Sequence, residues 1–254
     1  MAFTMIESEI IIQTAEGQMP TWVVHPDEQG PSPLVLFMMD ALGIREELRD
    51  MARRIATVGY SVWLPNLYYR DGGPSFDPSI LAQGRMDPEM VRLNDSLSTA
   101  MTVRDVGSLL ECARGHVSVR LPAAVIGYCM GGRHAIAAAA SYPDVFAAMA
   151  SMHGGRLVND QPDSPHRLIA RMKAQAYFAW ADQDAVAPPE HAQVIQAALA
   201  VHRPDDRLEW HLGALHGFTF PERYCYHKAA AERVWNRLFT LFRRQLDGSS
   251  PGKP

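Results

Sequence analysis

The sequence predicts an α/β protein, with a mostly parallel central sheet flanked by helices on both faces. Two observations carry that reading. Short β-branched or aromatic runs alternate with longer stretches of helical periodicity, the pattern of repeated strand–helix units. Several runs, such as AAVI at 123–126, are apolar throughout, as suits strands covered on both faces. With 254 residues, 47% of them hydrophobic, the chain can bury a sizeable core, and we expect one domain over 1–246.

Each element follows in order. Runs at 9–13 and 21–24 have no helix between them, so they should pair as an antiparallel edge. A strand at 34–39, a helix at 46–58 and a strand at 61–64 come next. Residues 68–95, rich in Gly, Pro and Asp, read as one long irregular stretch, either a lid or pocket wall or a plain solvated connection. A helix at 97–114 leads to a strand at 123–128 and a small-residue helix at 130–141. A further strand should precede His153, followed by strands at 174–181 and 208–212 and helices at 190–201 and 223–245. The polar tail 247–254 (DGSSPGKP) should be frayed.

Composition narrows the function. The net charge of −4 comes without a basic stripe, which argues against a nucleic-acid partner. The longest apolar runs, 34–39 and 135–140, fall far short of the roughly 20 residues a membrane span needs. The N-terminus lacks the basic and long apolar regions of a secretory signal, so a cytoplasmic protein is expected. Cys112, Cys129 and Cys225 form no CxxC pair and should be free thiols. No HxxxH or HExxH pair and no glycine-rich phosphate loop is present, so neither metal nor cofactor is expected.

The most informative segment is Gly127-Tyr128-Cys129-Met130-Gly131-Gly132, between an apolar strand and a small-residue helix. It matches the nucleophile elbow G-x-S-x-G, with cysteine in place of serine. The flanking glycines let strand and helix approach around a strained turn, and the helix N-terminus favours a thiolate. The Met130 backbone N–H would then face a developing oxyanion.

A cysteine nucleophile needs a base and an acid to orient it, which in this architecture follow it in chain order. His216, in a loop after the last strand, is the best placed of the ten histidines. The acid is Asp182 or Asp184, in the turn after the preceding strand; spacing alone leaves both open.

The chain at this point resembles the dienelactone hydrolase family of the α/β-hydrolase superfamily, from about residue 21 to 246. The resemblance rests on MDALG at 39–43, LPNLYYR at 64–70, GYCMGG at 127–132, DQDAVAP at 182–188 and HGF at 216–218. It implies the α/β-hydrolase fold and a triad of Cys129, Asp184 and His216. It also implies a second oxyanion donor on the backbone N–H of Ala41. Where the family carries glutamate in Q-E-x-x-G, this chain has Asp40, implied as a thiol-activating or pocket residue. Arg70 matches an arginine of the family's L-Y-x-R stretch and is a candidate for a substrate anion, a solvated loop charge being the alternative.

Tyr68 and Phe218 are candidate pocket walls, with core packing an equal reading, and His153 is a candidate substrate contact. The expected reaction is hydrolysis of an ester or lactone, with dienelactone-like enol lactones or other activated esters as small-molecule substrates, through a thioacyl enzyme. The rival readings are a broad carboxylesterase or thioesterase without dienelactone activity, a ligand binder without turnover, and a thiol redox sensor.

Overall fold

The edge of the sheet is a hairpin of two ten-residue strands, β1 (Met5–Thr14) and β2 (Gly17–Pro26), paired antiparallel from Met5↔Pro26 to Thr14↔Gly17. This computed structural model describes residues 4–27 and 30–247; the tail expected to fray lies, from residue 248 on, outside the described residues. Strand β3 (Ser32–Met38) precedes helix α1 (Glu46–Ala56) and strand β4 (Ser61–Pro65).

The stretch read as irregular contains a 3-10 turn at Tyr69–Asp71 and two short helices, α2 (Ser79–Ala82) and α3 (Pro88–Ser96). The start of α3 has a local cause: the Asp87 carboxylate accepts from the backbone N–H groups of Glu89 and Met90, and Pro88 fills the first helical position. Its buried Met90 and Leu93 supply the packing that so short a helix requires.

Helix α4 (Thr99–Arg114), strand β5 (Val119–Tyr128), helix α5 (Met130–Ser141) and strand β6 (Phe146–Met152) follow. Then come helix α6 (Pro165–Leu168), strand β7 (Gln175–Gln183), helix α7 (Pro189–His202), strand β8 (Arg207–Leu215) and helix α8 (Lys228–Leu246).

The eight strands form one sheet in the order β1-β2-β4-β3-β5-β6-β7-β8. Strand β2 runs antiparallel to β1 and β4, and all the pairings from β4 to β8 are parallel. The inner strands are sealed on both sides; residues 34–39 have no exposed surface. Helices α1 and α8 pack together on one face, where Arg54 pairs with Glu232 at 2.6 Å and lies over the Trp235 ring. Helices α4 and α5 pack together elsewhere, tied by Thr102 Oγ1 and His134 Nδ1 at 2.8 Å.

This topology decides where chemistry can sit. Because β3, β5, β6, β7 and β8 are parallel neighbours, their C-terminal ends bring the segments that follow them to one edge, the usual crevice of an open α/β sheet. Among the described residues no helix is long and apolar enough to cross a membrane.

The core makes a quantitative expectation. Leu238 on α8 is fully buried, so Leu238→Ala should cost about 2–5 kcal/mol. Val201, 74% exposed on α7, should tolerate Val201→Ser within about 0.5 kcal/mol. Urea unfolding of both variants checks the contrast; equal costs would mean α8 does not close the core.

Candidate active site

Cys129 follows β5 directly and stands at the head of α5 with φ 50° and ψ −115°, a left-handed conformation that a non-glycine residue adopts only under constraint. The constraint is packing. A Cβ on Gly127 would press on the Gly131 carbonyl and come within 2.7 Å of Gly132 N. One on Gly131 would press on the Met38 carbonyl and come within 2.7 Å of the Met39 carbonyl oxygen, at the end of β3. The turn is held from the far side as well: Cys129 N–H donates to the Met152 carbonyl at 3.1 Å, and its own carbonyl accepts from Gly132 and Gly155.

Asp184 follows β7 and His216 follows β8, so neighbouring strands bring them together. His216 Nδ1 lies 2.8 Å from Asp184 Oδ2 and 3.0 Å from Oδ1. Backbone N–H groups of Val186 and Ala187 each donate to Asp184 Oδ1 at 2.8 Å, which fixes the buried carboxylate. Asp182, the alternative left open by spacing, makes no contact with His216; its Oδ1 is buried without a partner. Thus Asp184 is the carboxylate that orients the imidazole.

His216 Nε2 makes no complete hydrogen bond among the described residues, yet the ring sits close enough to Cys129 for each group to govern the other's protonation. Burial opposes ionisation of the Cys129 thiol, but the positive His216 imidazole and its hydrogen bond outweigh it, and the thiol falls below its ordinary value. Burial likewise opposes the imidazolium, but the Cys129 thiolate and the Asp184 carboxylate push His216 up to about 10. The resting pair is therefore thiolate and imidazolium.

Two backbone N–H groups flank this pair. Met130 is the first residue of α5, and Ala41 lies in the loop after β3; neither donates to a protein acceptor among the described residues. The Ala41 loop is braced by Tyr68, whose hydroxyl donates to the Ala41 carbonyl at 3.1 Å and lies 3.2 Å from Met130 Sδ. Phe76 N–H donates to the Leu42 carbonyl at 2.8 Å, so residues 68–76 form a wall beside this loop.

Comparison with known proteins bears on the same residues. A model of the dienelactone hydrolase family matches residues 19–246. The chain belongs to that family. As a dienelactone hydrolase family member it is a hydrolase of the ester- and lactone-cleaving class. It is 27% identical to a Yersinia pestis protein provisionally named carboxymethylenebutenolidase, over 92% of this chain and 86% of that one. A similarly named Escherichia coli protein is 28% identical over 92% and 85% of the two chains. The crystal structure of a provisionally assigned dienelactone hydrolase from Klebsiella pneumoniae superposes with TM-score 0.82 at 24% identity, covering 95% of this chain and 99% of that one. These likenesses bear out the α/β-hydrolase fold.

Several site expectations need correction in this family member. Arg70 does not wait for a substrate: all three guanidinium nitrogens bond to Glu16 or Asp105, the closest at 2.5 and 2.7 Å. Phe218 is fully buried between the rings of His153 and His211, with centroids 5.6 and 4.9 Å away, and is core rather than pocket wall. His153 is also sealed, with φ 39°; its Nε2 lies 2.7 Å from Thr219 Oγ1 and its ring meets His216 edge-on at 5.1 Å. Burial holds it well below the ordinary histidine range, so it is a neutral ring behind His216 rather than a substrate contact.

Asp40 is corrected in role. Its buried carboxylate is bound by Arg45 (2.7 and 3.2 Å) and by Arg223, and Arg45 continues to Glu47 at 2.5 Å. Asp40 makes no hydrogen bond to Cys129; its negative charge instead opposes the thiolate, whereas Arg223 favours it. Reading the sequence missed Arg45, Arg223 and Arg133. The signal for Arg133 was present as a lone cation in the helix GGRHAIAAAA, one turn after the cysteine.

Two outcomes follow. Gly131→Ala drives a Cβ into the end of β3 and should cost about 1–3 kcal/mol while displacing Ala41, read by urea unfolding and loss of esterase rate. Asp40→Asn leaves two buried guanidinium groups short of a carboxylate, a loss of about 3–5 kcal/mol. It should also move the pH midpoint for iodoacetamide alkylation of Cys129 downwards, because a charge opposing the thiolate is gone. An upward shift would mean that Asp40 promotes ionisation.

Proposed function

We propose that this chain hydrolyses enol lactones or other activated esters through a thioacyl enzyme, with Cys129 as nucleophile, His216 as proton carrier and Asp184 as its orienting acid. The observation that carries the reading is the pairing of a strained elbow thiol, ionised at rest, with an imidazole that a fixed carboxylate holds from behind.

In this mechanism the Cys129 sulfur attacks the substrate carbonyl, and charge moves onto its oxygen. The free N–H groups of Met130 and Ala41 stabilise that oxyanion. The carbon–oxygen bond then breaks, and the His216 imidazolium gives its proton to the leaving oxygen. Water, deprotonated by the now neutral imidazole, attacks the thioester and releases acid and thiolate. A thiolate leaves more readily than a simple alkoxide, so alkyl esters tend to revert whereas enolates and phenolates depart. The dienelactone-type substrate is supported by this leaving-group argument and by the names of the relatives.

The pH dependence has a definite sign. As pH falls through the depressed thiol value the nucleophile is protonated; as pH rises through about 10 the imidazolium loses the proton it must donate. A bell-shaped kcat/KM should therefore have its acid limb below the ordinary thiol range. The test is turnover of 4-nitrophenyl acetate and a dienelactone by wild type and Cys129→Ala, with intact mass recorded during the reaction. An acyl adduct at Cys129 and a loss of at least about 10³-fold in the variant are expected. Equal rates in the two proteins would remove Cys129 from the mechanism.

A further inference from the structure

Buried arginines in this protein are paired with carboxylates: Arg45 with Asp40 and Glu47, Arg223 with Asp40, Arg70 with Asp105, and Arg203 with Asp206. Arg133 departs from that pattern. It is only 7% exposed, one helical turn after Cys129 on α5, and no carboxylate bonds to it among the described residues. Its Nη2 donates to the Asn94 carbonyl at 2.8 Å and the Asn94 side-chain oxygen at 3.0 Å, with the Leu97 carbonyl at 3.5 Å.

Those contacts satisfy one nitrogen, at the C-terminal end of α3, where a cation is favoured. They leave the Nε hydrogen and both Nη1 hydrogens without an acceptor among the described residues. Neither atom is among the sealed atoms that lack partners, so both border space that solvent can enter. A second cation stands nearby: Arg156, at φ 58° in the loop after β6, bonds to Asp95 at 2.5 Å and its charge opposes that of Arg133. Arg133 is also within electrostatic range of Cys129 and Tyr68.

Burying a guanidinium without a counter-charge is costly, and two adjacent cations sharing one carboxylate raise that cost. Resting on the proposed hydrolase reading, we infer that Arg133 is a substrate-binding residue that takes a carboxylate carried by the ester or lactone, with Arg156 adding positive potential at the rim. A planar guanidinium with free donors suits a carboxylate better than a neutral oxygen. The subsite lies along α5, on the side of Cys129 that faces α3, whereas Arg70 is already occupied by Asp105 and Glu16.

The test compares 4-nitrophenyl butyrate with the mono-4-nitrophenyl ester of succinic acid, which carries a free carboxylate. In Arg133→Gln the ratio of kcat/KM for the anionic ester to that for the neutral one should fall about tenfold or more, with Arg133→Lys retaining part of it. A purely structural role would lower both esters alike and leave the ratio unchanged, which would overturn the inference. Should Arg133→Gln not fold, Arg156→Gln serves: it frees Asp95, so the ratio must fall there too. If wild type cleaves neither ester, the hydrolase reading fails, and the subsite is judged separately by protection of Cys129 from iodoacetamide. Succinate, unlike succinamide, should protect wild type and not the Arg133 variant; equal protection in both would reject the subsite.

Discussion

Three backbones meet around Cys129, and no side chain fits between them. The ends of β3 and β5 and the first turn of α5 approach so closely that Gly127 and Gly131 have no room for a methyl group. The same crowding holds Cys129 at φ 50° and turns its sulfur away from the sheet. It also aligns the head of α5 with the loop carrying Ala41, so that two unpaired N–H groups face the thiol. Strain at the nucleophile and readiness of the oxyanion donors thus share one steric cause.

Charge completes what packing begins. Asp184 is pinned by two backbone N–H groups and spends its remaining capacity on His216, which keeps the imidazole protonated beside the thiolate. Asp40 would add a competing negative charge, but Arg45 and Arg223 absorb it. Networks of this kind contribute little net stability, since desolvation offsets attraction. Their effect here is positional. Glu47 accepts from Arg45 and from the backbone N–H of Glu222, so α1, the Ala41 loop and the segment before α8 are fastened to one another.

The elbow was legible in the sequence because its constraint is local: glycines at fixed offsets between an apolar strand and a small-residue helix. The strand alternation and the antiparallel first hairpin were legible for the same reason. The choice between Asp182 and Asp184 was not. Both sit in one turn, and only the backbone donors of Val186 and Ala187 single out Asp184; family resemblance, not spacing, pointed to it. Arg70 and Phe218 were misread because their partners, Glu16, Asp105 and His211, come together only in the fold. Helix α3 was hidden by its surroundings, although Asp87-Pro88-Glu89 carries a start signal.

The fastening of residue 40 to residue 223 also orders events during synthesis. Cys129 emerges from the ribosome well before His216 and Arg223, the two groups that lower its acidity constant. Until β8 and the segment leading to α8 dock, the cysteine remains an ordinary thiol and Asp40 has only Arg45 for a partner. Chain order therefore protects the nascent polypeptide from its own nucleophile: the reactive sulfur comes into being only when the last strand closes the sheet.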